Sequence, residues 1–276
     1  MIIRCANHSL DLGEPRVMGV LNVTPDSFSD GGKFIKPSDA VMQAVRMVDD
    51  GAAIIDVGGE STRPGAQSVS LQQELDRVIP VIEALADAIP VPISIDTSKP
   101  EVMLEATAAG AGMINDVSAL SAPGAIEAAR ETQLPVCLMH MQGEPRSMQL
   151  QPEYEDVVAE VTAYLQQRAG ACIDAGIPAQ RILLDPGFGF GKKLFHNIEL
   201  LKNLDVLAKL GYPVLAGISR KSMIGRILDD RPVGQRLYGS LAAAVIAAMK
   251  GASLLRVHDV RETVDAIRVT SAVMKP

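Results

Sequence analysis

The stretch from residue 17 to residue 32 reads VMGVLNVTPDSFSDGG, and the prediction of the fold starts from it. Residues 17–21 form a short apolar run, which is typical of a strand buried on both faces. The run ends at Asn22, and a polar loop with a glycine pair follows. A buried strand that leads into such a loop is typical of a binding loop on a rigid scaffold, although an ordinary surface loop has the same composition.

The same order of apolar strand, polar loop and amphipathic helix recurs along the 276 residues. The predicted strands are 17–21, 53–57, 93–95, 113–114, 136–139, 182–184, 214–216 and 254–257. The predicted helices are 37–50, 71–88, 100–109, 125–132, 153–175, 197–210, 237–250 and 261–274, with a short helix before 237. Eight such units predict an α/β fold, a single-domain (β/α)8 TIM barrel. A doubly wound open sheet is the alternative, and residues 2–4 and 9–12 predict a short N-terminal hairpin.

Composition limits the partners and the cellular compartment. The net charge of −7 argues against a general nucleic-acid or membrane partner, so an anionic ligand requires a locally basic pocket. No apolar run reaches the length of a membrane span, and the N-terminus is too short and too polar for a signal peptide. The three cysteines share no metal or redox spacing, which predicts reduced thiols in a cytoplasmic protein.

Hydrogen-bonding or ionisable side chains stand at the ends of nearly all the predicted strands. In chain order, they and their neighbours are Asn22, Asp56 before Gly58, Asp96, Asn115, His140, Asp185, Ser219 with Arg220 and Lys221, and Arg256 before His258. Helix capping explains one such residue, because Asp and Ser are common caps. Polar side chains at the ends of nearly all eight predicted strands favour a functional site instead, because the strand ends of a barrel converge on one mouth.

Short catalytic motifs are incomplete in this chain. The run GFGFGKK at residues 187–193 lacks the first glycine and the Ser or Thr of a phosphate loop. GISRK at residues 217–221 lacks the last glycine of a nucleophile elbow. No zinc-binding spacing is present. A Schiff-base lysine at Lys99 or Lys221 stays open on spacing alone.

Eight segments together resemble the dihydropteroate synthase family, the folate-pathway enzymes that sulfonamides inhibit. They are LNVTPDSFSDGG, IIDVGGESTRPGA, ISIDTSKP, INDVSAL, MHMQG, LLDPGFGFGK, ISRKSMIG and RVHDV, and they run in the family's order up to residue 260. The resemblance implies a transferase that joins 6-hydroxymethyl-7,8-dihydropterin diphosphate to 4-aminobenzoate. The products are 7,8-dihydropteroate and diphosphate.

The resemblance also implies a pterin slot made of side chains from four strand ends. Asp96 and Asp185 would accept hydrogen bonds from the pterin amino and ring N–H groups. Asn115 would offer a donor and an acceptor together. Lys221 would donate to the ring carbonyl and a ring nitrogen.

The diphosphate would be bound by cations and by loop donors. By resemblance, Arg256 and His258 face the phosphates, and Thr62 and Arg63 add donors from the second loop. Asn22 would be the one protein ligand of a Mg²⁺ ion that keeps waters and takes diphosphate oxygens. The catalytic set implied in this way is Asn22, Arg63, Lys221, Arg256 and His258.

The 4-aminobenzoate pocket would be flat and would form last. Its expected walls are Phe190, Pro64, Phe28 and Lys221, with Ser222 near the carboxylate. Phe28 and Pro64 lie on the first and second loops, so closure of both loops would complete the pocket. The arylamine is a weak nucleophile, and the family route is therefore expected, in which the bond to diphosphate breaks first.

Two other functions share part of this pattern. A pterin-binding methyltransferase module of the corrinoid class would keep the pterin acceptors and needs neither the diphosphate residues nor TPDSFSDGG. A catalytically silent paralogue would have lost Asn22, Arg63 or His258, and all three are present. Family members are commonly homodimers, and the apolar stretch 241–249 suits either a subunit interface or barrel packing.

Overall fold

Eight parallel strands close into a barrel, and a separate two-stranded antiparallel hairpin precedes them in the chain. The computed structural model describes residues 1–24, 37–61, 68–143 and 148–275. The hairpin strands are β1 (Ile2–Cys5) and β2 (His8–Asp11). The barrel strands are β3 (Arg16–Asn22), β4 (Ile54–Gly58), β5 (Ile93–Asp96), β6 (Met113–Asp116), β7 (Val136–Met139), β8 (Ile182–Asp185), β9 (Val214–Ala216) and β10 (Ala252–Val257). The predicted TIM barrel and hairpin are confirmed, and the open sheet is excluded because β10 pairs with β3.

Helices follow the barrel strands along the chain. They are α1 (Pro37–Asp49), α2 (Leu71–Ala88), α3 (Pro100–Ala108), α4 (Ala125–Thr132), α5 (Val157–Asp174), α6 (Leu194–Lys202), α7 (Leu204–Ala208), α8 (Ser222–Ile227), α9 (Leu237–Met249) and α10 (Val260–Met274). None of these helices is long and apolar enough to cross a membrane.

Two predicted helices differ from the observed ones for local reasons. The predicted helix 153–175 begins only at residue 157, because Asp156 caps it by accepting from the backbone N–H groups of Val158 and Ala159. The predicted helix 197–210 is two helices, α6 and α7, which meet at Asn203. The Asn203 side chain donates to the carbonyl oxygen of Glu199 at 2.9 Å, a local bond of the kind that competes with a continuous helix.

The interior of the barrel has an apolar floor. One buried cluster joins inward-facing strand residues to the hairpin, and its members are Ile3, Cys5, Leu10, Leu12, Met18, Ile54, Met113, Cys137, Leu183, Leu215 and Leu254. A second and larger cluster packs the outward faces of the strands against the helices. The hairpin therefore closes the end of the barrel at which the strands begin.

The polar mouth follows from the pleat of the same strands. Side chains two residues apart on a strand point to the same face. Two residues beyond the apolar floor, the inward positions are Asp56 after Ile54, Asn115 after Met113, Asp185 after Leu183 and Arg256 after Leu254. The strands thus change from apolar to polar side chains within one pleat, at the end where enzymes of this architecture place their sites.

The hairpin seal predicts an asymmetry between two neighbouring isoleucines. Ile3 is 2% exposed against the barrel floor, whereas Ile2 is 70% exposed. Ile3→Ala should lower the free energy of unfolding by about 2–5 kcal/mol, because it leaves a cavity under the barrel. The matched control Ile2→Ala should change it by less than about 0.5 kcal/mol. Urea titration measures both, and equal effects would contradict the sealing role.

Candidate active site

Arg256 lies between two buried carboxylates at the mouth of the barrel. Its Nε donates to Asp56 Oδ2 at 2.6 Å, and its Nη2 donates to Asp96 Oδ2 at 2.7 Å. The three side chains come from β10, β4 and β5, so the bonds reach across the barrel interior. Sequence reasoning named Asp56 without assigning it a role. Its inward position on β4, two residues after Ile54, was the available signal.

This cluster shares one guanidinium between two carboxylates. Burial raises the pKa of Asp96 to about 7, against the opposing attraction of Arg256. Burial alone would lower the pKa of Arg256, but Asp56 and Asp96 outweigh it and raise that pKa. Arg256 is therefore a fixed cation, and Asp96 is the group whose charge responds near neutral pH.

Asn115 extends the cluster, and two buried polar atoms in it lack partners. Asn115 Nδ2 donates to Asp56 Oδ2 at 3.2 Å. Asp56 Oδ1 and Ser94 Oγ have no hydrogen-bond partner in the described part of the chain. Asp56 and Ser94 are opposite each other in the pairing of β4 with β5. Buried polar atoms of this kind are normally satisfied by a ligand or by water.

Asp185, Lys221 and Phe190 form the neighbouring part of the mouth. Asp185 Oδ1 accepts from the backbone N–H of Gly187 at 2.7 Å. Lys221 Nζ donates to the carbonyl oxygen of Phe188 and lies 4.4 Å from the centroid of the Phe190 ring. The sequence-predicted pterin acceptor, cation and aromatic wall are therefore brought together.

Burial shifts both charged groups of this part toward their neutral forms. It raises the pKa of Asp185, although the charge of Lys221 opposes the shift. It lowers the pKa of Lys221 to about 8, although Asp185 opposes that shift. Perturbed groups of opposite sign in one cleft are typical of binding and catalytic sites.

His258 and its neighbours join two loops at the mouth. The His258 backbone N–H donates to Ser219 Oγ at 3.2 Å, and His258 Nδ1 lies 3.1 Å from the same oxygen. Arg220 forms an ion pair with Asp259, in which Arg220 Nε donates to Asp259 Oδ2 at 3.0 Å. These contacts hold the loop after β9 against the end of β10, and sequence reasoning did not identify the Arg220–Asp259 pair.

The other predicted site residues are a strand-end residue, a helix-start residue and four residues outside the described part of the chain. Asn22 lies at the end of β3, opposite Gly58 of β4. Ser222 is exposed and begins α8. Phe28, Thr62, Arg63 and Pro64 lie outside the described residues.

The donor set suits a metal ion that brings most of its own ligands. Among the residues that the structure describes, no three His, Cys, Asp or Glu side chains are grouped to hold a metal. Asn22 would contribute an amide oxygen, which is the ligand chemistry that Mg²⁺ accepts. A site with this single protein ligand requires further oxygens from substrate and water.

The Schiff-base alternative for Lys99 does not agree with its surroundings. Lys99 Nζ lies 2.5 Å from Glu60 Oε2 and 2.5 Å from Glu74 Oε2. Burial alone would lower the pKa of Lys99, but hydrogen bonds to the two carboxylates outweigh it and raise the pKa. A protonated amine is not a nucleophile, so Lys99 is a structural cation.

His140 is the strand-end residue that turns away from the site. It is buried, and its Nδ1 lies 2.9 Å from Lys192 Nζ. Lys192 is also buried, and sequence reasoning considered it only as part of an incomplete phosphate-loop motif. The nearby glycines of GFGFGK were the signal that this loop packs closely against its surroundings.

Comparison with known proteins agrees with this geometry. Residues 18–258 match the family described as "Pterin binding enzyme". The dihydropteroate synthase of Escherichia coli K12 is 59% identical over 266 residues, which are 96% of this chain and 94% of that protein. A Yersinia pestis dihydropteroate synthase in a sulfonamide complex superposes with a TM-score of 0.95 at 53% identity, covering 99% of both chains.

A structure with bound product is also similar. Xanthomonas albilineans dihydropteroate synthase in complex with 7,8-dihydropteroate has a TM-score of 0.91 at 49% identity, and all of both chains is covered. The matches extend over the barrel and over the strand ends that carry the polar cluster. The chain therefore belongs to the dihydropteroate synthase family of pterin-binding enzymes, which are transferases.

Proposed function

We propose that the barrel mouth condenses 6-hydroxymethyl-7,8-dihydropterin diphosphate with 4-aminobenzoate to give 7,8-dihydropteroate and diphosphate. One observation carries this proposal. Asp96, Asn115 and Asp185 lie at the same mouth as the cations Lys221 and Arg256, where they form the hydrogen bonds and ion pairs described above. A pterin diphosphate needs acceptors at one end and cations at the other, and this mouth offers both.

The acceptors would bind the pterin ring. Among the described residues, Asp185 is hydrogen-bonded only through Oδ1, to Gly187, so its second oxygen is left for a ring N–H or the amino group. Asp96 presents a carboxylate already held by Arg256. Asn115 adds an amide that can donate or accept. Lys221 would donate to the ring carbonyl from above the Phe190 ring.

The cations would stabilise the leaving group. Arg256 is held in place by two carboxylates before substrate arrives, so little reorganisation is needed as charge develops on the diphosphate. His258 lies beside it and is positioned by Ser219. Arg63 and Thr62 would add donors from the second loop. Mg²⁺ held by Asn22 would neutralise part of the diphosphate charge.

The reaction then depends more on orienting the arylamine than on a base that would deprotonate it before attack. The mouth offers an aromatic wall in Phe190, with the Lys221 ammonium 4.4 Å from the ring centroid. Phe28, Pro64 and Ser222 are the further proposed contacts of 4-aminobenzoate. Departure of diphosphate breaks the C–O bond and leaves a cation delocalised into the pterin ring. The amine nitrogen then forms a bond to the methylene carbon, and its proton is lost to the released diphosphate or to solvent. No covalent intermediate with Lys221 forms on this route.

We also propose that the chain is a cytoplasmic homodimer. The large apolar side chains that are exposed on helices α9 and α10 include Ile246, Met249, Val269 and Val273. Within the stretch 241–249, Ala243, Ala244, Ala247 and Ala248 are buried. The stretch therefore packs against the barrel on one side and offers apolar surface on the other. Three buried free cysteines support a reducing compartment.

The proposed reaction is tested directly with purified substrates. Wild-type protein with Mg²⁺ should form dihydropteroate, and chelation of the metal should reduce the rate. Asp185→Asn should weaken pterin binding by about 1–3 kcal/mol or more, because an amide N–H₂ replaces an acceptor oxygen facing ring donors. The asparagine oxygen can still accept from Gly187, so the fold should be unchanged.

The matched control is Asp174→Asn, which changes an exposed aspartate at the end of α5. Its turnover and pterin affinity should equal those of the wild type. Pterin binding without product formation by the wild type would favour the silent paralogue. Pterin affinity that is unchanged in Asp185→Asn would refute the assignment of that acceptor.

Pterin affinity should depend on pH with a maximum between about pH 7 and about pH 8. Asp96, with its pKa raised to about 7, loses its accepting charge as the pH falls below that value. Lys221, with its pKa lowered to about 8, loses its donating charge as the pH rises above that value. Calorimetry over this range should show Asp96→Asn with a reduced acidic limb, because Asp185 also titrates from a raised pKa, and Lys221→Arg without the basic limb. A flat profile, after correction for ionisation of the ligand, would contradict these roles.

Binding of 4-aminobenzoate should follow binding of the diphosphate. Its proposed wall Phe28 lies on the first loop, which follows the proposed metal ligand Asn22, and Pro64 lies on the second loop with the proposed phosphate donors Thr62 and Arg63. Diphosphate would therefore order the loops that complete the pocket. A sulfonamide titrated into the protein should bind more tightly with pterin, diphosphate and Mg²⁺ present than with pterin alone. Equal affinities would mean a preformed pocket.

A further inference from the structure

Lys192 is a buried lysine that the proposed reaction does not use. Its side chain is only 3% exposed. Its Nζ lies 2.9 Å from the carbonyl oxygen of Gly187, 2.9 Å from that of Phe190 and 3.2 Å from that of His140. His140 Nδ1 lies 2.9 Å from the same atom. None of its hydrogen-bond partners among the described residues is a carboxylate.

These partners match the donors of an ammonium group. A lysine ammonium has three N–H donors and no acceptor, and three carbonyl oxygens surround Lys192 Nζ. Burial lowers the pKa of Lys192, and the charge of Asp185 opposes that shift. Burial lowers the pKa of His140 to about 3, and Lys192 adds to that shift, so the ring is neutral at physiological pH. A neutral ring protonated on Nε2 presents its Nδ1 as a further acceptor. Each hydrogen bond to a charged donor is stronger than a neutral one.

The loop of residues 186–191 is folded around this ammonium. Gly187 and Gly191 have left-handed φ angles of +68° and +60°. A Cβ atom at Gly187 would lie 1.9 Å from the His140 carbonyl oxygen, and one at Gly191 would lie 2.4 Å from that of Gln142. The loop therefore packs backbone against backbone on the segment after β7, with its carbonyls turned toward Lys192.

The same loop positions groups from both proposed substrate compartments. The Gly187 N–H orients Asp185 on the pterin side. The Phe188 carbonyl accepts from Lys221, and the Phe190 ring lies under Lys221 on the arylamine side. Lys192 binds the carbonyls of Gly187 and Phe190, at the two ends of this short segment.

We propose that Lys192 is a positioning residue for this reaction, which holds the loop of residues 186–191 so that Asp185 and Phe190 face the pterin and 4-aminobenzoate. This inference rests on the proposed function, because it assigns Lys192 to the same two substrate compartments. Lys192 touches neither substrate. It acts by fixing the backbone from which their contacts are made.

The test uses Lys192→Met and Lys192→Arg, with Lys193→Met as the matched control at an exposed neighbouring lysine. Calorimetry measures the affinity for a pterin, and then for a sulfonamide with pterin, diphosphate and Mg²⁺ present. Lys192→Met should weaken both affinities by about 10- to 100-fold, since small displacements of positioning groups have effects of that size. Lys192→Arg, which keeps a charged donor, should recover part of the loss, and Lys193→Met should lose nothing.

A double-mutant cycle separates positioning from general stability. In a Phe190→Ala background, Lys192→Met should no longer change the sulfonamide affinity but should still weaken pterin binding through Asp185. Additive effects in the cycle, or wild-type affinities in a protein with a lowered melting temperature, would overturn the proposal. If Lys192→Met does not fold, Lys192→Arg in the same cycle decides by the same criteria. Product formation by the wild type tests the proposed function separately, because the Lys192 measurements use only binding.

Discussion

The ion pairs of Arg256 with Asp56 and Asp96 are the constraint on which the mouth of this barrel depends. An unpaired charge buried at this depth would be strongly destabilising, so each member requires the others. The pairs join β10 to β4 and β5 across the barrel interior. With two carboxylates for one guanidinium, the cluster keeps an excess of acceptor oxygens. It therefore favours a ligand rich in N–H donors, and it presents a fixed cation next to them.

This charged layer is possible because the strand pleat separates it from an apolar floor. Met18, Ile54 and Leu254 lie in the layer below, where the hairpin residues Ile3 and Leu10 exclude water. A shift of one residue in the pairing of β4 would turn Asp56 outward into the helix layer. Burial of the floor thus fixes the register, and the register places the charges. Stability and function are set by alternate residues of the same strands.

The loops after β8 and β9 show how backbone groups complete such a site. Lys192 binds carbonyl oxygens of the loop after β8, and the Arg220–Asp259 ion pair holds the loop after β9 against the end of β10. Neither cation meets the substrates in the proposed mechanism. Both hold backbone at positions where a displacement of the order of 1 Å would misplace Asp185, Lys221 or His258. The substrate contacts proposed for Asp185, Lys221 and His258 therefore depend on side chains that hold their loops from behind.

The sequence by itself determined the repeated strand–helix order, the hairpin and the set of polar strand ends, because hydrophobic periodicity and length are local properties. It also determined the family, through segments spread over most of the chain. Only the tertiary structure decided that Arg256 pairs with Asp56 and Asp96, that Lys99 is a structural cation, and that His140 turns toward Lys192. It also decided that helices α6 and α7 meet at Asn203, whose side chain donates to Glu199. These outcomes depend on which side chains meet across the barrel and on how deeply each one is buried. The order of residues along the chain specifies neither of these.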